Sequence, residues 1–352
     1  MDTFCILGDC NKLHCHHCFP IKECSKHNIC SKNGCCDEII PEKKILVTGC
    51  AGFIGSHVCE YLCKHNYHVL GIDNINDYYD ISLKYRNIAL LQTYPNFTFL
   101  KEDIRDTNVI QQFCPFKIIH LASMAGVRYS IEHPQLYFDV NVNGFIHLLQ
   151  EATKVNVKSI IYASSSSVYG LNKKVPFHED DPIQTCNSPY ACSKMSMELL
   201  AKTYHQLYKI NCIGLRFFTV FGPRGRPDMA PDKFLRAIHH EKYFKKYGDG
   251  SSSRDYTFVE DIVGGIVGAL ESDIKIGVYN LGNSKPCSLN EFIQTCEKVT
   301  NKRAMYEEIE NQLGDVPHTY ASITNAEQDL GYAPQTSLED GLRKTYEYIK
   351  KM

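Results

Sequence analysis

Apolar residues keep two rhythms along this chain from residue 44 onward. Lys44-Ile45-Leu46-Val47-Thr48 is a short apolar run closed by glycine, the form of a strand buried on both faces. Ile54, Val58, Tyr61 and Leu62 then recur at helical spacing, so a helix follows at once. A second run, His68-Val69-Leu70-Gly71-Ile72, leads to Asp73. Further runs fall at 97–100, 117–122, 159–165 and 212–218, with helical stretches between them, two of which cover about 135–153 and 188–209. The alternation predicts an α/β fold built on a doubly wound parallel sheet.

The first strand and helix are joined by Gly49-Cys50-Ala51-Gly52-Phe53-Ile54-Gly55. Glycines there let a backbone approach a pyrophosphate, and a helix N-terminus offers free N–H groups and partial positive charge. The spacing is GxxGxxG, and Asp73 ends the next strand, where a carboxylate accepts bonds from the adenosine ribose hydroxyls. It would repel a 2′-phosphate, so NAD is expected rather than NADP. Asp103 follows one strand end as a candidate for the adenine, and Leu121-Ala122-Ser123 follows the next as a border for the nicotinamide ribose. Asn141 lies on the helix at 135–153 and reads equally as a packing amide or as part of a relay, whereas His120 reads as a packed histidine in a core strand.

Chemistry concentrates in Ser164-Ser165-Ser166-Ser167-Val168-Tyr169-Gly170 and Ser188-Pro189-Tyr190-Ala191-Cys192-Ser193-Lys194. Ser188 suits an N-cap and Pro189 the first helical position, which sets Tyr190 and Lys194 four residues apart on one face. A phenol titrates near ~10 and must be acidified before it takes a proton from a sugar hydroxyl at neutral pH. A Lys194 ammonium beside it is expected to supply that acidification.

Composition narrows the partners. The 352 residues are 43% hydrophobic and 22% charged, with a formal net charge of −2, so neither nucleic acid nor an anionic membrane is recruited by charge. No apolar run approaches the ~18 residues of a membrane span, and the first residues lack the basic flank and apolar core of a signal peptide, which predicts a cytoplasmic protein. Eight of the 17 cysteines and four histidines fall within residues 1–42. Cys15 and Cys18 form a workable zinc-ligand pair, set against a thiol-rich extension with no catalytic part. No metal is expected in the body of the chain.

With the glycine turn, Asp73, Ser165, Tyr190 and Lys194 in this order, the chain from Lys43 onward resembles the extended short-chain dehydrogenase/reductases, and within them the nucleotide-sugar 4-epimerases. TGCAGFIGSH, SSSSVYG, YACSK and RDYTFVEDIV carry the resemblance together. It implies a Rossmann-type domain over 43–221 and a smaller substrate-binding domain over 222–352, some segments of which return to the first. It also implies a catalytic Ser165, 25 residues before Tyr190. The implied NAD site takes Gly49, Gly52, Phe53, Ile54 and Gly55 at the pyrophosphate, and Asn74, Ile104 and Phe217 beside the residues already named. Asn141, Tyr190 and Lys194 complete it.

Several stretches are similar to UDP-glucuronate 4-epimerases in particular: DNINDYYD from Asp73, AGVRYS from Ala125, LRFFTVFGP from Leu215 and GRPDMA from Gly225. By that resemblance Thr219 and Arg226 face the sugar carboxylate, with Ser164, Ser165 and Ser166 adding hydroxyls. Arg128, Arg254 and Asp315 complete the UDP-sugar site. Related 4,6-dehydratases carry an Asp-Glu pair where this chain has Ser166 and Ser167, and the Glu of related decarboxylases is missing too. Tyr320-Ala321-Ser322 and the stretch 242–254 depart from the glucuronate pattern, so UDP-glucose or UDP-N-acetylglucosamine stays open, as does an NAD-sensing regulator. The resemblance also implies a homodimer formed through the helices at 135–153 and 188–209.

Overall fold

The computed structural model describes residues 43–310 and 317–352. Cys15, Cys18 and Asp315 lie outside the described residues. The first half alternates as the apolar runs predict: β1 (Lys44–Thr48), α1 (Phe53–Lys64), β2 (His68–Asp73), α2 (Ile81–Leu91), β3 (Phe97–Lys101), α3 (Val109–Phe113) and β4 (Lys117–His120). Next come α4 (Val127–Glu132), α5 (Pro134–Tyr137), α6 (Gly144–Lys154), β5 (Ser159–Ser165), α7 (Pro189–Tyr208) and β6 (Asn211–Phe217). β7 (Thr219–Phe221), α8 (Ala230–His239), β8 (Phe244–Tyr247), β9 (Ser253–Phe258), α9 (Val259–Glu271) and β10 (Ile276–Leu281) follow. The chain ends through β11 (Pro286–Ser288), α10 (Leu289–Thr300), β12 (Tyr306–Ile309), β13 (His318–Thr319), α11 (Thr324–Leu330) and α12 (Leu338–Lys350).

Among the described residues, seven strands form one parallel sheet in the order β10-β6-β5-β4-β1-β2-β3. Successive side chains of a strand point to opposite faces, and the two cores follow that rule. Ile45, Val47, Ile119 and Ile161 pack with Val58 and Leu62 of α1 and Ile262 and Ile266 of α9. Leu46, Ile118 and Ile160 pack on the other face with Phe145 and Leu148 of α6 and Met197 and Ala201 of α7. Strand order reverses between β1 and β4, and in such sheets ligands bind beyond the strand C-termini at the reversal.

Strands that follow β6 in the chain form a smaller sheet of β7, β9, β11 and β13 and the pair β8–β12. Phe234, Leu235, Phe292 and Leu342, from α8, α10 and α12, join Phe221 and Phe258 in a third core. Asp255 of β9 is fully buried and accepts the backbone N–H groups of Asn283, Ser284 and Ala321 at 2.6, 3.0 and 3.0 Å. One carboxylate thereby fastens two returning segments, the one after β10 and the one after β13. No described helix is long and apolar enough to cross a membrane.

The helix expected at 135–153 is not continuous. Phe138–Asn143 is a π-helical turn between α5 and α6. One residue too many per turn re-aims Asn141 into the protein, and such turns often mark functional sites.

Candidate active site

A cleft of about 410 Å³ opens at the strand reversal. Gly49 sits at φ +72°, and a Cβ there would lie 2.7 Å from the Ala122 nitrogen. A Cβ at Gly55 would lie 2.1 Å from the Gly49 oxygen, so the turn and α1 close on each other only without side chains. α1 has no side-chain cap and no acidic residue in its first turn, which leaves its N–H groups and positive end for an anion. Thr48 Oγ1 pairs with His120 Nδ1 at 2.8 Å and accepts the Ala122 N–H at 3.1 Å, joining β1 to the segment after β4. His120 is buried and stacks on Phe145, and burial holds its pKa down at about 3, as befits a packed neutral imidazole.

Asp73 enters the cleft at the end of β2, its carboxylate oriented by the Ala51 and Ile75 N–H groups at 3.3 and 2.8 Å. This glycine cradle, open helix end and oriented carboxylate fit a dinucleotide. Asn74, Ile104, Leu121, Ala122, Ser123 and Phe217 also line the cleft. Asp103 does not: its carboxylate is taken by Arg105 at 2.9 and 2.8 Å and by Asn74 Nδ2 at 2.9 Å, a pairing that holds its pKa down at about 2. Glu102 and Ile104 on either side face the cleft instead.

Tyr190 and Lys194 stand where the capping signals predict. Ser188 Oγ accepts the Ala191 N–H at 3.1 Å, Pro189 opens α7, and both side chains reach the cleft. Lys194 is 1% exposed and donates to Ser123 Oγ at 3.0 Å and Ala163 O at 2.8 Å. Burial lowers its pKa to about 7. Burial also raises the pKa of Tyr190, and what opposes that is a hydrogen bond with Ser165 and the charge of Arg226. The charge acting on Tyr190 in this arrangement is that of Arg226, and Lys194 Nζ is directed at Ser123.

The serine run divides by role. Ser165 closes β5, caps the short helical turn Ser166–Tyr169 by accepting the Ser167 N–H at 3.1 Å, and lines the cleft with Ser164, Ser166 and Ser167. Ser164 is 2% exposed and gives its hydroxyl to Glu198 Oε1 at 2.5 Å. That proton is taken by the buried carboxylate, although Ser164 also borders the cleft. Thr219 and Arg226 line the far wall, with the Arg226 guanidinium 5.1 Å from the Tyr78 ring centre. Arg128 and Arg254 are not brought to the cleft: Arg128 lies over the Tyr247 ring at 4.9 Å, and Arg254 Nη1 donates to the Ser253 and Pro317 carbonyls at 2.9 and 3.2 Å.

A sequence profile of the family described as GDP-mannose 4,6-dehydratase matches residues 46–345. The chain belongs to this family. It is 40% identical to a UDP-glucuronate 4-epimerase of Thermodesulfobacterium geofontis, over 87% of this chain and 96% of that protein. It is 42% identical to UDP-glucuronate 4-epimerase 2 of Arabidopsis thaliana, over 85% of this chain and 74% of the plant protein. Among solved structures, the UDP-glucuronic acid 4-epimerase of Bacillus cereus in complex with UDP-glucuronic acid and NAD superposes with a TM-score of 0.83 at 37% identity, covering 88% of this chain and 99% of that one.

Within this family member, Asn141 is held between the segment after β4 and α7. It is fully buried, accepts the Met124 N–H at 2.7 Å, and donates to Met124 O and Ser193 Oγ, each at 2.9 Å. Both amide protons are spent inside the protein, and Asn141 is absent from the cleft lining. It ties the segment after β4 to α7.

Sequence reasoning also missed a buried ionic network. Arg216 Nε and Nη2 grip Glu198 at 2.9 and 2.8 Å, and Arg216 Nη1 donates to the Tyr169 hydroxyl at 2.9 Å, which donates to Asn280 Oδ1 at 2.7 Å. The signal was a lone arginine in an apolar strand, with Glu198 four residues beyond Lys194 on the same helical face. Tyr78, Tyr79 and Lys84 line the cleft without having been foreseen, Lys84 with its Nζ 3.7 Å from Asp73 Oδ1. Among the described residues, no cluster of His, Cys, Asp and Glu suits a metal ion.

Proposed function

We infer that the chain is an NAD-dependent enzyme that epimerises C4 of a UDP-sugar, converting UDP-glucuronate to UDP-galacturonate. The observation that carries this reading is one cleft holding the glycine cradle with Asp73 at one end, Ser165, Tyr190 and Lys194 in the middle, and Thr219 with Arg226 at the other. Tyr190 takes the proton of the sugar O4, Ser165 hydrogen-bonds the same oxygen, and Lys194 holds the ribose hydroxyls from beside Ser123. Bound NAD supplies a reversible two-electron oxidation at C4, with no net redox change over a cycle. Tyr190 returns its proton to O4 once the sugar has presented its other face.

Epimerisation suits the cleft better than dehydration does, although dehydration is the activity in the family's description. Among the described residues, the acidic side chains lining the cleft are Asp73 and Glu102, and both belong to the adenosine end beyond β2 and β3. Ser166 and Ser167 stand beside Tyr190 instead, so no carboxyl group there can drive elimination at C5 and C6. Arg226 suits a carboxylate because a guanidinium forks one with two charge-assisted bonds. A neutral UDP-sugar is the second reading, favoured by the departures from the glucuronate pattern at Tyr320-Ala321-Ser322 and 242–254.

Proton NMR of UDP-glucuronate, UDP-glucose and UDP-N-acetylglucosamine incubated with the protein decides between them. Conversion of UDP-glucuronate to its C4 epimer, without stoichiometric NADH, is expected. Conversion of a neutral sugar alone would overturn the substrate, and conversion of none would overturn the activity.

The proposed location is the cytoplasm, in keeping with the nine described cysteines, all of them free. The proposed assembly is a homodimer through α6 and α7, where Leu199, Leu207 and Tyr208 remain 55%, 64% and 55% exposed. Sedimentation equilibrium should read twice the chain mass, and a monomer at micromolar concentration would remove the dimer.

A further inference from the structure

Arg226 is gripped by a residue that stands outside the cleft. Its Nε donates to Asp228 Oδ1 at 3.0 Å and its Nη2 to Asp228 Oδ2 at 2.6 Å, so one edge of the guanidinium is filled by a single carboxylate. Nη2 also reaches Ala125 O at 3.3 Å, and the Tyr78 hydroxyl and ring flank the group. Arg226 lines the cleft and Asp228 does not, the two side chains being 17% and 41% exposed. The segment between β7 and α8 that carries both has no regular structure around them, so side-chain bonds have to orient the arginine.

A guanidinium offers two edges to carboxylates, the side bearing Nε and Nη2 and the end bearing Nη1 and Nη2. Asp228 fills the side. We propose that Asp228 is a positioning residue for an acidic sugar, locking Arg226 so that its Nη1 meets the substrate carboxylate, and that this pair sets the preference for acidic over neutral UDP-sugars. The inference rests on the UDP-glucuronate reading. Asp228 brings a like charge near the substrate, which acts against binding, but that charge is partly exposed and screened by water and salt. Its bidentate grip is not screened in the same way, because it works by geometry. A long, rotamer-rich side chain held in its bound conformation before the ligand arrives loses less freedom on binding.

The test uses the full chain with NAD and the variants Asp228→Ala and Asp228→Asn. With Asp228→Ala, the KM for UDP-glucuronate should rise about tenfold while kcat changes less than about twofold, the pattern of lost binding rather than lost chemistry. Asp228→Asn keeps one acceptor and should fall between. The inhibition constant of UDP-glucose, which has no carboxylate, should not move. In an Arg226→Ala background, Asp228→Ala should add no further loss, since the partner it positions is gone. An unchanged or lowered KM for UDP-glucuronate, an equal weakening of acidic and neutral ligands, or a further loss in the Arg226→Ala background would each overturn the proposal. Wild-type protein that fails to convert UDP-glucuronate would overturn the substrate reading and this one with it. Conversion by the wild type with no effect at Asp228 would overturn this one alone.

Discussion

Ser164 and Ser165 are neighbours in a strand that both border the cleft, and their hydroxyls are bonded differently. Ser164 donates to the buried Glu198, whereas Ser165 is hydrogen-bonded with Tyr190. Ser165→Ala should therefore lower kcat by roughly 10²-fold or more, the scale of a lost proton-transfer partner. Ser164→Ala should cost about 1–3 kcal/mol of stability, because a buried charged acceptor loses a donor, with kcat kept within a few-fold. Steady-state rates and urea unfolding of the two variants separate the roles, and equal losses of kcat would contradict them. At this scale the sequence showed the Tyr190 and Lys194 pair plainly, since capping and helical spacing are local rules. It did not show which serine gives its hydroxyl to the buried carboxylate, because four consecutive serines carry no polarity signal of their own. Nor did it show that the charge of Arg226, 36 residues further along the chain, would oppose the burial that raises the Tyr190 pKa, since that depends on the path of the chain after β7.

Between elements, the decisive feature is the π-helical turn at Phe138–Asn143. An unbroken helix would carry Asn141 at a different angle, whereas the inserted residue brings it onto the Met124 backbone and Ser193 of α7. Asn141→Leu leaves the Met124 N–H and carbonyl buried without partners, at about 1–3 kcal/mol for each unsatisfied group. Ala122 and Ser123 belong to the same segment and line the cleft, so the KM for NAD should rise as stability falls. A stable variant with unaltered NAD affinity would show that the segment is held by other means. The strands were readable from apolar runs, as was the glycine turn. The π-helical turn was not, because the hydrophobic pattern of 135–153 fits one helix, and only the needs of a loop outside that helix select the extra residue.

Across the whole molecule, Asp255 joins what chain order separates. Its carboxylate collects N–H groups from 283, 284 and 321, and its folded pKa is raised by burial, which the surrounding N–H groups oppose. Asp255→Asn puts an amide donor against backbone donors. Hydrogen exchange should speed up at the amides of Asn283, Ser284 and Ala321 before it does in the central sheet. Uniform acceleration everywhere would mean that the smaller lobe has no separate stability. Motif order made the two-part layout expected, but Asp255 read as one letter of RDYTFVEDIV, with nothing to mark it as a fastener. Glu198 has a parallel place in α7. It stands one turn beyond Lys194 and is forked by Arg216 of β6, which reaches Asn280 of β10 through Tyr169. Sliding α7 by one turn would strand a guanidinium in apolar surroundings, a displacement with no halfway stop. The helix that carries Tyr190 and Lys194 thus has a single seat in the molecule, fixed by Arg216 of the sheet strand beside it.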